Sequence, residues 1–204
     1  MNKLGIKIIV FAFLWVSILG CSIPRSFGPK IAVRKEIYFA PQLDLVWRTK
    51  LLVSYIYFAP KREDISLTKQ AAKIVFNELQ RLDLFEDVEF FDNVEQYDLA
   101  HLLVLARAKG FKSFVVVKIN PYYFEGDYLS DSFLEENIKL YYLEINKNTL
   151  LVQANLIAKG NFCPREDFFL FQTARYPAAS LRELIQTNAQ VFAKSLAKQS
   201  GLLP

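Results

Sequence analysis

Phe114-Val115-Val116-Val117-Lys118-Ile119 is nearly continuous in apolar character, the pattern of a strand at the centre of a sheet with cover on both faces. Just upstream, a helix is expected from Tyr97 or Asp98 to Lys109. Leu99, Leu102, Leu103 and Ala106 form its apolar stripe, and Gly110 falls just past the C-cap. Pro121 is expected to end the strand, because proline cannot donate to a ladder.

Outward from this unit the chain alternates strand and helix signals. Lys30–Phe39 and Leu51–Phe58 have the β-branched and aromatic content of strands, stopped by Pro41 and Pro60. Asp64-Ile65-Ser66 should open a helix whose apolar face is Leu67, Ala71, Ile74, Val75, Leu79 and Leu82. Lys69, Lys73, Asn77, Gln80 and Arg81 occupy much of the remainder. Val88–Phe91 is a short strand closed by Asp92-Asn93. After a loop over Tyr122–Glu136, two strands, Asn137–Ile145 and Leu150–Lys159, flank the turn Asn146-Lys147-Asn148-Thr149. Phe168–Thr173 reads as a further strand with two apolar faces. Ser180 and Glu183 form a capping box for a last helix. The order β–β–α–β–α–β–β–β–(β)–α makes an α/β single-domain sandwich, a mixed β-sheet with three main helices packed on it.

The N-terminus carries a different signal. Lys3 and Lys7 precede an apolar run, Ile8–Leu19, and then Ile18-Leu19-Gly20-Cys21. The run would span about 20 Å as a helix, short of the ~30 Å hydrocarbon core. The order resembles the bacterial lipoprotein signal, which implies lipidation of Cys21 and removal of residues 1–20. Two acyl chains suffice for lasting attachment to a bilayer, and Ser22 at the next position points to the outer membrane. The alternative is an uncleaved N-terminal anchor. Residues 21–29, with two prolines, a glycine and two serines, suit a tether, leaving 30–204 as one domain.

Loss of Lys3 and Lys7 lowers the formal charge from +4 to +2, and no concentrated basic face suggests nucleic acid. His101 is the only histidine, and Cys163 the only cysteine besides Cys21. No hydrolase, zinc or nucleotide motif occurs, so no catalytic residue, metal or cofactor is assigned. A Cys163–His101 dyad is the sharpest enzymatic arrangement available. Glu125, Asp127, Asp131, Glu135 and Glu136 could hold calcium, act as a paired acid and base, or simply face water. Beside them, Tyr122, Tyr123, Phe124 and Tyr128 are the candidate contact residues for a protein partner or a glycan.

Glu78-Leu79-Gln80-Arg81-Leu82-Asp83-Leu84-Phe85 and the segment Ala106 to Val117, followed by a long hairpin and a closing helix, carry a family resemblance. The chain resembles the small α/β outer-membrane lipoproteins related to the curli-secretion and Pel polysaccharide-export lipoproteins. It is similar, too, to the N-terminal domain of the Tol–Pal propeller protein. The resemblance spans about residues 50–160. It implies a non-enzymatic, periplasm-facing outer-membrane lipoprotein that scaffolds an envelope assembly or export complex. Its partners would be the bilayer, through acylated Cys21, and envelope proteins or further copies of itself. A periplasmic module binding glycan or another envelope ligand is the alternative.

Overall fold

The computed structural model describes residues 30–57, 62–122, 132–145, 147–161, 164–166, 173–175 and 180–201. Eight strands are seen: β1 (Lys30–Phe39), β2 (Lys50–Tyr55), β3 (Asp87–Phe90), β4 (Ser113–Tyr122), β5 (Ser132–Leu143), β6 (Asn148–Asn161), β7 (Pro164–Glu166) and β8 (Thr173–Arg175). Three helices accompany them: α1 (Arg62–Gln80), α2 (Leu99–Ala108) and α3 (Leu181–Gln199). Six strands form one mixed sheet in the order β1-β6-β5-β4-β2-β3, and β7-β8 make a separate ribbon. The expected α/β architecture is therefore present.

β2, β3 and β4 run parallel, and the rest of the sheet is antiparallel. The chain steps from β2 outward to β3, then back across β2 to β4. Parallel crossovers are right-handed, so a reversal of direction puts the two connecting helices on opposite faces. α1 and α3 share one face, where Val75, Leu79, Ile185 and Phe192 meet Val53, Val115, Ile138 and Leu156. α2 lies on the other, where Leu102, Leu103 and Ala106 cover Leu52, Phe114, Val116 and Tyr141. Phe114, Val115 and Val117 are fully buried, as expected for a strand enclosed by helices on both sides.

The helix ends follow their sequence signals. The Asp98 side chain caps α2 by accepting from the His101 N–H, and Gly110 takes the left-handed conformation (φ 82°) after the C-cap. Ser180 and Glu183 form the complete capping box of α3.

Several boundaries differ from expectation. β4 passes through Pro121 and ends at Tyr122. Its β2 neighbour stops opposite Val117, so beyond that level β4 is paired on one side only and a residue without an N–H can be accommodated. β5 consequently begins at Ser132, where it pairs along the extended β4, rather than at Asn137. Six of the fifteen residues of the expected Tyr122–Glu136 loop, Tyr122 and Ser132–Glu136, are thus strand. β2 ends at Tyr55, opposite Val117 of β4 and two residues past its last partner on β3, rather than running on toward Phe58, which lies outside the described residues. α1 starts at Arg62, ahead of Asp64, since Arg62 and Glu63 are both good helix formers. The β5–β6 turn sits earlier than expected: Leu143 already pairs with Asn148, and the Glu144 N–H donates to the Lys147 carbonyl at 2.9 Å. Of the expected strand Phe168–Thr173, only Thr173 lies among the described residues, as the first residue of β8.

Phe192, fully buried on α3, should be among the costliest truncations. Phe192→Ala is expected to lower stability by about 3–5 kcal/mol in urea titration, through a cavity beneath α3.

Candidate functional site

In open α/β sheets ligands gather where connections from neighbouring strands leave to opposite faces. Here that point is the pair β2–β3, whose chains turn to α1 and α2. Tyr55 ends β2 and Asp92 follows β3. The Tyr55 hydroxyl donates to Asp92 Oδ1 at 2.6 Å, and Lys69 of α1 is bonded to the other carboxylate oxygen. Asn93, fully buried, donates to the carbonyls of Tyr55 (3.0 Å) and Tyr97 (2.8 Å) and accepts from the Tyr97 N–H (2.8 Å). Lys73 stands 5.7 Å over the Phe90 ring, which in turn stacks on Tyr55.

The electrostatics follow from this geometry. Partial burial works to raise the Asp92 carboxyl. The bonds from Lys69 and Tyr55, with the charges of Lys69 and Lys73, outweigh it and hold the group below the usual carboxylate range. Burial, and then the bond to Asp92, push the Tyr55 hydroxyl far up. Both Asp92 oxygens are committed and the phenol keeps its proton. The switch point is thus filled by the protein's own groups and acts as a clamp between α1 and the ends of β2 and β3. In sequence, Lys69 and Lys73 read only as the solvated side of a helix.

A second surface is open. α2 is a ten-residue helix and reaches only the Phe114–Tyr141 end of its face. Beyond it, among the described residues, the same face of β4, β5, β6 and β1 has no helix over it. Its rows, set by register, are Lys139–Gln153–Tyr38 beside the covered Val116, Lys118–Asn137–Asn155–Glu36, and Asn120–Glu135–Ile157–Arg34. The next row is Tyr122–Phe133–Lys159–Ala32. Tyr38, Gln153, Lys159, Arg34 and Glu36 are exposed, and the central Asn137, Lys139 and Asn155 are half-buried. Burial lowers the Lys118 ammonium, Glu135 partly restores it, and neighbouring Lys139 lowers it further. The Asn155 carbonyl oxygen is occluded without a hydrogen-bond partner. This face is rich in amides and mixed charge, with aromatic rings at its margin. Neither spacing nor motif marked it, because its residues come from four strands.

Of the expected contact residues, Tyr122 closes β4 at the margin of this face, whereas Tyr123, Phe124 and Tyr128 lie outside the described residues. Cys21, Cys163, Glu125, Asp127 and Asp131 lie outside them too. His101 is exposed in the first turn of α2, with Nδ1 2.9 Å from Asp98 Oδ1. Glu135 and Glu136 are not in an acidic loop: both are on β5, facing opposite sides, and Glu136 is fully buried. Among the described residues no His, Cys, Asp and Glu cluster suits a metal ion, and no helix is long and apolar enough to cross a membrane.

The backbone has clear counterparts among solved structures. The PelC dodecamer from Paraburkholderia phytofirmans matches with a TM-score of 0.52 and 11% identity, over 82% of this chain and 97% of that one. A point variant of the same PelC gives 0.53 and 11%, over 82% and 98%. A hypothetical protein from Chlamydia trachomatis gives 0.46 and 10%, over 76% and 95%. Neither a protein-family model nor a curated protein sequence matches this chain. At these identities the PelC likeness establishes a common fold, in agreement with the lipoprotein-type fold expected from sequence.

The clamp makes a direct prediction. Asp92→Asn should cost about 1 kcal/mol at neutral pH, a figure kept small because the pair is about one-third exposed. Since folding depresses this carboxyl, its contribution is present above the unfolded value of about 3.9 and is lost as pH falls through the folded one. Acid titration of stability should show that loss in the parent chain and not in the Asn variant.

Proposed function

We propose that this protein is a non-enzymatic, lipid-anchored lipoprotein of the outer membrane, facing the periplasm. There it scaffolds an envelope assembly or export complex, associating with further copies of itself. One observation carries the reading: the near full-length backbone likeness to PelC, whose solved form is a dodecamer. Residues 21–29 would be a tether behind an acylated Cys21. Residues 1–20 would be the signal removed on export.

The contact surface fits a scaffold better than a catalyst. The Asp92 oxygens are occupied by their clamp partners, while the wide polar face of β4–β5–β6–β1 has no helix over it among the described residues. Among the described residues the exposed large apolar side chains are Tyr38, Leu45, Val94, Val104 and Ile145, on β1, the segment before β2, the loop after β3, α2 and the β5–β6 turn, and exposed apolar residues of this kind are ordinary surface. Contacts made through the open face would be largely polar and hydrated. β1 is a ten-residue edge strand carrying Arg34, Lys35 and Glu36. Charges on an edge discourage open-ended strand pairing, so self-association would use faces rather than growth of the sheet. The amide-rich rows also favour a second reading, a module that binds glycan on this face.

Cys21→Ser tests the anchor. The parent chain is expected to incorporate labelled palmitate and sediment with outer membranes, and the Ser variant to do neither. A parent chain that stays unlabelled removes the proposal. Native mass separates the two readings: a discrete multiple of the chain favours the scaffold. A monomer that is retarded in gels containing envelope polysaccharide favours glycan binding, and Lys139→Glu with Gln153→Ala should then abolish the retardation.

A further inference from the structure

The clamp and the open face leave unexplained a group at the centre of the core. Glu136 lies on β5 with no exposed surface, among apolar neighbours: Ile119 is its partner on β4 and Leu156 its partner on β6. Neither carboxyl oxygen has a hydrogen-bond partner. Above it is Asn188 of α3, equally buried, whose Nδ2 reaches the Leu156 carbonyl at 3.5 Å while its Oδ1 is also unpartnered. The Asn188 side chain lies against the carboxyl without completing a bond of good geometry.

Buried polar atoms are almost always paired, and an isolated buried carboxylate is far costlier than a neutral acid. With Glu136 ionised, its two oxygens and Asn188 Oδ1 are all acceptors, and turning the Asn188 amide so that Nδ2 meets the carboxylate would set Oδ1 against the Leu156 carbonyl that Nδ2 now reaches. A single proton on Glu136 resolves the conflict, because its O–H can donate to Asn188 Oδ1 while Nδ2 stays on Leu156. Of the described residues in the row across the sheet, Ile119, Glu136, Leu156 and Lys35, the only charged group besides Glu136 is Lys35 on edge strand β1. It lies two strand spacings away, about 10 Å, and is exposed. Lys118 and Glu135 face the opposite side of the sheet. The α3 residues buried beside Asn188 are Leu184, Ile185, Ala189 and Phe192, none of them titratable. On α1, which shares the face, the nearby buried positions Ala72 and Val75 are apolar too.

We propose that Glu136 and Asn188 form a proton-dependent latch: with its proton Glu136 bonds Asn188 and holds α3 on the sheet, and release of that proton to solvent loosens α3. α3 is the last helix and packs on β5, β6, β1 and α1, so its departure would bring water to Glu136. Burial, only slightly offset by Asn188, raises the carboxyl to about 8. The opened state would return it to about 4.3. The sign follows from linkage. Between those values the closed state holds a proton that the open one does not, so closure weakens as pH rises and levels off above about 8.

Amide hydrogen exchange on the full chain from pH 5 to 9, corrected for the intrinsic pH dependence of exchange, tests this. The opening constant of α3 should rise by up to tenfold per pH unit to about pH 8 and then flatten, while Glu136→Gln should leave it level. An α3 opening constant independent of pH in the parent chain overturns the latch. So does the same rise in Glu136→Gln, or an equal rise throughout β2, β4 and β5. Should the Gln variant not fold, the carboxyl carbon of Glu136 in the parent chain decides by NMR. Titration above pH 7 supports the latch, and titration in the ordinary glutamate range overturns it.

Discussion

The whole architecture depends on satisfying the backbone of β4. Phe114 to Val117 are buried on both faces, so their amide and carbonyl groups can pair only within the sheet. That requires a strand on each side, β2 and β5, and cover above and below. The right-handed crossover then distributes the helices: α1 goes to one face and α2 to the other, and α3 completes the side that α1 covers incompletely. The antiparallel β5–β6–β1 half extends the sheet beyond the reach of α2. One buried strand thus accounts for both the closed core and the polar face that no described helix covers.

Much of this was legible in the sequence, and the legible parts share a cause. Apolar periodicity located β4, α1 and the stripe of α2, while caps fixed Asp98, Gly110 and Ser180, because these signals are local. The errors arose where pairing decided the outcome. Pro121 looks like a terminator until the loss of β2 beyond Val117 leaves it a free side. Reading the strand as ended there hid the start of β5. Leu134, Glu136, Ile138 and Leu140 then lost their alternation, and Glu136 passed for an acid in a loop. The Tyr55–Asp92–Lys69 clamp joins positions far apart in sequence, and the polar face draws one residue in two from four strands. Neither has a sequence period to detect.

These features divide the molecule's polar chemistry by location. At the parallel strand ends, where comparable sheets hold ligands, the groups satisfy one another and tie helix to sheet. On the face that no described helix covers, amides and charges are gathered and pair among themselves, as Arg34 does with Glu36 and Asn137 with Glu135. In the core a lone carboxyl is tolerated only in its neutral form. The fold shared with PelC gives these elements their frame, but the clamp, the polar face and Glu136 are argued from this chain's own residues.

The register across the antiparallel half has one more consequence. Ala32 near the start of β1 stands in the same row as Lys159, Phe133 and Tyr122, so the polypeptide enters the sheet at the rim where the β4–β5 ribbon projects. β4 runs five residues past the level of Tyr55, about 17 Å. The point of entry is thus at the opposite end of the slab from the Leu143–Asn148 turn, and the two broad faces run the whole distance between them.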